Sequence, residues 1–231
     1  KKEARQAIGY AIDYDGIVND LMSGAAQRPA TIVPLPLLGS EEVLPKAYTF
    51  DLAKAQELWD SISAGEQEIE FIYDSDTPAP GGASYETLGQ KLQSDLQQIK
   101  GLTVKLTPMP GTDRLARYRA GDFQATISPW TPDFPDVDSY AGPFARTDTA
   151  AAKRVGFSDP AVDALLDQGL TEFDAAARTQ IYVQIQEALI EAAPYHVLYQ
   201  PTGLLPAKTV VQGAAVHSVY IYQLRGASKT A

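Results

Sequence analysis

EIEFIYDSDTPAPGGASYETLGQKLQSDLQQIKGLTVKL, residues 68–106, carries the signature from which the fold is read. Ile69, Phe71 and Tyr73 alternate with other residues over 69–73, the period of a strand. A loop, DSDTPAPGGA, follows. Ser84 then opens a helix whose Leu88, Leu92, Leu96 and Ile99 share one face, with Gly101 expected at its C′ stop. LTVKL, 102–106, reads as a second strand. Beyond it, 112–120 reads as a short helix ending at Gly121, and FQATI, 123–127, as a third strand. Two βα units in succession predict parallel strands joined by right-handed crossovers. In open α/β sheets ligands bind beyond the carboxyl ends of the strands. Two loops leave such ends, 74–82 and 128–140.

Working outward, Ala4, Ala7, Ile8, Ala11 and Ile12 form one helical face, and Asp15 is placed to cap a second helix through Met22. Residues 29–48 hold four prolines and no clean period, so an irregular loop is expected. Asp51 is placed to cap a helix with Leu52, Ala55, Leu58, Trp59 and Ile62 on its stripe. On the C-terminal side, Ser158 or Asp159 caps a helix with Pro160 in its first turn. Asp174 caps a longer one with Ile181, Ile185, Ala188, Leu189 and Ala192 inside. YHVLYQ, near 195–200, and segments near 208–211 and 219–224 read as strands.

Composition narrows the function classes. The 231 residues carry a formal charge of −10, the wrong sign for a protein that reads a phosphate backbone, so no nucleic-acid partner is expected. No apolar run reaches the ~18 residues of a membrane span. The absence of cysteine removes disulfides and thiolate metal sites. The first residues, KKEARQAIGYAIDY, have no signal-peptide pattern and begin within a helix, so a piece of a longer chain is expected.

The chemistry concentrates in ISPWTPDFPDVDSY, residues 127–140. Asp133, Asp136 and Asp138 are spaced D-x-x-D-x-D, without the glycine and the closing glutamate of a calcium loop. The histidines, His196 and His217, are isolated from each other, so no metal or other cofactor is expected. A glycosidase needs two carboxylates about 5–10 Å apart, which spacing alone does not give, and no nucleophile elbow or phosphate loop is present. A receptor reading uses Trp130 as an apolar face and an acid beside it for a cation. Against it stand simpler roles: aspartates that cap their own turn, favoured for Asp136 and Asp138, and a tryptophan that anchors the sheet edge.

Five stretches, in order, resemble one family. They are RQAIGYAIDYDGIV (5–18), YTFDLAKAQELW (48–59), YRAGDFQATISPWTPDFPD (118–136), FSDPAVDALLDQG (157–169) and AARTQIYVQIQEALIEAAPYHVLYQP (176–201). The family is the family 5 extracellular solute-binding proteins, the peptide and nickel receptors of ABC importers. The resemblance implies an α/β, periplasmic binding protein-like second lobe with a small, mainly parallel sheet flanked by helices. It implies a ligand-binding lobe over 1–193 and a segment, 194–231, whose strands return toward a first lobe that would precede Lys1. It implies no catalysis, a periplasmic or cell-surface location, an ABC permease as partner, and a peptide or other amine-bearing solute as ligand. Sugar-binding members exist, so a sugar receptor is the alternative; a metal-binding module or a carboxylate glycoside hydrolase lies further off. In peptide-binding members the aspartate three residues after the tryptophan grips the peptide ammonium, and that position here is Asp133. Trp130, Thr131, Phe134 and Tyr140 complete the candidate ligand-binding set. Two positions depart from the family: Pro129 stands where glycine is usual, and loop 74–83 has no arginine, which argues against a dedicated dipeptide receptor.

Overall fold

The computed structural model describes residues 1–62, 65–203, 205–217 and 222–230. In chain order its helices are α1 (Lys2–Ala11), α2 (Tyr14–Gly16), α3 (Leu52–Asp60), α4 (Tyr85–Leu96), α5 (Gly111–Ala120), α6 (Asp138–Ala145), α7 (Ala150–Val155), α8 (Pro160–Thr171) and α9 (Ala175–Ala192). Its strands are β1 (Ala26–Gln27), β2 (Gln67–Asp74), β3 (Leu102–Met109), β4 (Ala125–Thr126), β5 (Gln200–Pro201), β6 (Val211–Gln212), β7 (Ala215–Val216), β8 (Tyr222–Gln223) and β9 (Ser228–Lys229).

The three expected strands share one parallel sheet in the order β3-β2-β4. β2 runs in register with β3 from Gln67↔Leu102 to Asp74↔Met109, and meets β4 at Phe71↔Ala125 and Ile72↔Thr126. Successive strand residues point to opposite faces. Tyr73 and Leu106 lie against Gly89 of α4, whereas Glu70, of the other parity, pairs with Arg117 of α5 at 2.8 Å. The two crossover helices therefore cover opposite faces.

Two apolar cores result. One joins the sheet and α4 to α1 and α3 through Phe71, Tyr73, Leu88, Leu92, Val104, Ala7 and Trp59. The other belongs to α6–α9, with Val137, Ala141, Leu166, Ile181, Tyr182 and Ile185 at its centre.

The caps expected at Asp51, Ser84, Asp159 and Asp174 each accept a backbone N–H from the first turn of their helix. Gly121 closes α5 in the left-handed region, φ +72°. Several boundaries differ from expectation. Asp13, not Asp15, caps α2, and the helix passes into a π turn over Ile17–Leu21. α4 stops at Leu96; Ile99 is buried by the turn that follows, and Gly101, φ +86°, lies in the turn into β3. The third strand is only two residues long. Residues 195–199 form no strand; only Gln200–Pro201 pairs, antiparallel to β1. Around 208–211 the strand is Val211–Gln212, and of 219–224 residues 219–221 lie outside the described residues.

Ala193 caps α9 with φ +50°, a left-handed turn at the expected lobe boundary. The chain continues to pack on this lobe beyond it. His196 Nε2 donates to the Arg5 carbonyl at 2.8 Å and Tyr199 donates to the Pro80 carbonyl at 2.8 Å. After Thr202 the described strands pair only with one another, β6 with β9 and β7 with β8.

Candidate functional site

The loop after β4 and the loop after β2 both leave the carboxyl edge of the sheet. In the first, Trp130 is 44% exposed. Its ring meets Phe144 of α6 edge to face at 4.9 Å, and Phe144 meets Tyr195 in the same way at 5.2 Å. Its Nε1 donates to the Ser139 carbonyl at 3.4 Å. One side of the indole is thus fixed, as an anchor of the sheet edge would be, and the other faces solvent.

The three aspartates separate into two functions. Asp136 accepts both Nη groups of Arg178, at 2.8 and 2.9 Å, and also the Asp138 amide at 2.9 Å. Arg178, outweighing partial burial, holds the Asp136 carboxyl below its ordinary range. Asp138 opens α6 and accepts the Tyr182 hydroxyl at 3.1 Å. Asp136 does cap its own turn, as expected, but it also ties the loop to α9. Asp133 is exposed and makes no hydrogen bond or ion pair among the described residues. With two of the acids held by Arg178 and Tyr182, the three do not converge, and among the described residues no cluster of three metal-ligating side chains occurs.

Thr131 and Phe134 are exposed beside Asp133, whereas Tyr140 turns inward against the helical core. The structure therefore brings Trp130, Thr131, Asp133 and Phe134 onto one open loop and sets Tyr140 apart. A 480 Å³ hollow lined by Gln6, Tyr10, Lys46, Tyr48, Lys54 and Glu187 contains no residue of either loop.

The second loop is held by its first residue. Asp74 Oδ1 accepts the amides of Asp76 and Thr77, at 2.7 and 3.2 Å, and Oδ2 accepts the Thr77 hydroxyl at 2.6 Å. Burial opposes charge on Asp74, but these donors and the nearby Arg114 prevail and lower its pKa. Asp76 accepts the Gly111 amide at the start of α5, at 3.2 Å. Arg114 lies in that first turn and is 8% exposed. Sequence reasoning did not find Arg114; its position depends on α5 folding back over β2, which no local pattern specifies.

The family model of the bacterial extracellular solute-binding proteins, family 5 middle region, matches residues 1–152. The chain belongs to this family. Among curated relatives it is 28% identical over 213 residues to the probable D,D-dipeptide-binding periplasmic protein DdpA of Escherichia coli (strain K12), covering 91% of this chain and 40% of that protein. It is 25% identical to di/tripeptide-binding protein 1 of Pseudomonas aeruginosa (strain UCBPP-PA14), covering 87% of this chain and 38% of the relative. This family 5 chain thus spans about two fifths of the length of those relatives. Among solved structures, the dipeptide binding protein from Pseudoalteromonas sp. SM9913 in complex with Met-Leu superposes with a TM-score of 0.81 at 21% identity, over 100% of this chain and 45% of that one. That likeness gives the fold: a periplasmic binding protein lobe, mixed α/β, with a small parallel sheet between helices.

Proposed function

We propose that this chain supplies one lobe of a substrate-binding component of an ABC importer, and that it captures peptides against loop 128–137. The observation that carries the reading is the pairing, on one ordered loop at the sheet's carboxyl edge, of a half-exposed tryptophan with an exposed aspartate that has no partner among the described residues. Trp130 packs on the peptide's apolar part. Asp133 receives its ammonium through a charge-assisted hydrogen bond. Peptide is preferred to sugar because the relatives named above bear peptide-binding names, and because a sugar has no cation for Asp133.

In this reading the protein binds without catalysis, in the periplasm or at the cell surface, and delivers to an ABC permease. Residues 1–193 supply the lobe, and the strands beyond about 201 pair with a first lobe contributed by the rest of the protein. The test is calorimetry on the full-length protein with trialanine. Asp133→Asn is expected to weaken binding by about ten-fold or more, the value of a charge-assisted bond in a closed cleft. Unchanged affinity in Asp133→Asn removes the ammonium role. Stabilisation by maltose with none by trialanine moves the sugar receptor ahead.

A further inference from the structure

Arg114 is an enclosed cation with nothing to hold among the described residues. Its Nη1 is completely buried and has no hydrogen-bond partner among them. Its guanidinium makes no side-chain hydrogen bond or ion pair among the described residues, and the residue is 8% exposed. Of the partly enclosed arginines, Arg5 donates to the Ala192 carbonyl, Arg28 donates to the Tyr48 carbonyl although its Nε is buried without a partner among the described residues, Arg154 lies over the Tyr118 ring, and Arg117, Arg146 and Arg178 each reach a carboxylate. A guanidinium stays charged at any physiological pH, and burying it without an oxygen partner is unfavourable.

The neighbouring acids do not supply that oxygen. Asp74 is close enough to feel the charge of Arg114, but its two oxygens accept from Asp76 and Thr77. Asp76 accepts from the Gly111 amide. The site is also tightly built. A Cβ on Gly111 would stand 2.6 Å from Asp74 Oδ2, so the first turn of α5 is pressed against the end of β2. Tyr85, 5% exposed, lies within the field of Arg114. Loop 74–82 adds no basic residue. One fixed cation without a hydrogen-bonded oxygen among the described residues thus lies at the sheet edge from which loops 74–82 and 128–137 both leave.

We infer that Arg114 is the anion-recognising residue of this site and takes a carboxylate of the bound ligand. The inference rests on the peptide reading. The planar fork of a guanidinium matches a carboxylate in a bidentate pair, and a peptide brings such a group at its C-terminus or on an acidic side chain. The ligand is then selected for charges of both signs: an ammonium at the Trp130 loop and a carboxylate at the start of α5.

The test uses full-length protein, parent and Arg114→Gln, titrated with trialanine, trialanine amide and Ala-Asp-Ala amide. The parent is expected to prefer trialanine to its amide by about ten- to a hundred-fold, and Arg114→Gln to reduce that preference to about three-fold or less. Parent affinity for Ala-Asp-Ala amide equal to that for trialanine, again lost in Arg114→Gln, assigns the carboxylate to a side chain and supports the inference equally. An undiminished preference in Arg114→Gln overturns it. Thermal unfolding separates a merely structural role. Removing an unpartnered buried charge leaves the empty protein as stable or more so, whereas a midpoint lowered by more than about 4 °C, roughly 1–2 kcal/mol in a chain of this size, makes Arg114 a structural counter-ion and overturns the inference. If none of the peptides binds the parent, the peptide reading fails by itself. Acetate titrated against the ¹⁵N side-chain resonances of the parent then decides: a saturating shift at Arg114, absent elsewhere, upholds the anion site, and no shift ends it.

Discussion

The ion pair between Asp136 and Arg178 ties the candidate binding loop to the helical layer, and its strength follows from its geometry. Two hydrogen bonds of 2.8 and 2.9 Å make it bidentate. The side chains remain 35% and 23% exposed, so solvent screens part of the attraction. Arg178 also donates Nε to the Gly169 carbonyl at 3.0 Å, which fixes the guanidinium before the acid arrives. A pair so aligned belongs at the upper end of the range for partly exposed pairs, about 1 kcal/mol. Asp136→Asn removes the charge but keeps an oxygen for the Asp138 amide; Asp136→Ala loses that bond too and is expected to cost about 1 kcal/mol more. The assay is a double-mutant cycle in urea with Asp136→Asn, Arg178→Met and the double variant. The Asp136 pKa is lowered in the folded state, so the coupling is present above the ordinary aspartate value of 3.8 and is lost as pH falls through the lower, folded value. A coupling below about 0.3 kcal/mol at pH 7 refutes the reasoning, as does one that persists unchanged into the acid limb while the protein remains folded.

Three further outcomes are expected. Gly169→Ala places a Cβ 2.9 Å from Tyr182 Cε2, and Tyr182 is fully buried, so overpacking is expected to cost about 1–3 kcal/mol in denaturant unfolding. Val137→Ala empties part of the helical core beneath the loop and is expected to cost about 2 kcal/mol, with a weaker grip on any ligand of Trp130 that calorimetry can read. Burial pushes the His196 pKa down to about 4, so stability is full above the ordinary 6.5 and declines as pH falls from there toward 4. The ring is only partly shielded, so the loss is about 1–2 kcal/mol, and His196→Gln is expected to flatten the stability profile across that window.

What the sequence made legible was local. The caps at Asp51, Ser84, Asp159 and Asp174 act within three residues, and each is where its pattern puts it. The parallel sheet followed from two βα units, and that fixed the edge from which loop 128–137 departs. Features that depend on distant partners were not legible. Asp136 meets Arg178 across 42 positions and Asp138 meets Tyr182 across 44. The end of α4 was misplaced because Ile99 keeps the helical period while being buried by a turn. Residues 195–199 looked like a strand because they are apolar and aromatic, but their burial comes from ring contacts, His196 on Tyr48 and Tyr195 on Phe144, and not from a ladder.

Loop 128–137 spans the two cores. Ile127, just before it, packs on the sheet core, and Val137, at its end, is 2% exposed in the helical core. Between these ends Pro132 is buried, Trp130 leans on Phe144, and Asp136 grips Arg178. The order of the loop is thus built by contacts on its inner side, leaving Thr131, Asp133 and Phe134 outward and free of structural duty. This arrangement matters for binding in two ways. A loop already ordered loses little further entropy when a ligand settles on it. And because Arg178 is taken by Asp136, Asp133 presents a carboxylate with no partner among the described residues, so an incoming ammonium displaces only water and has none of their ion pairs to break.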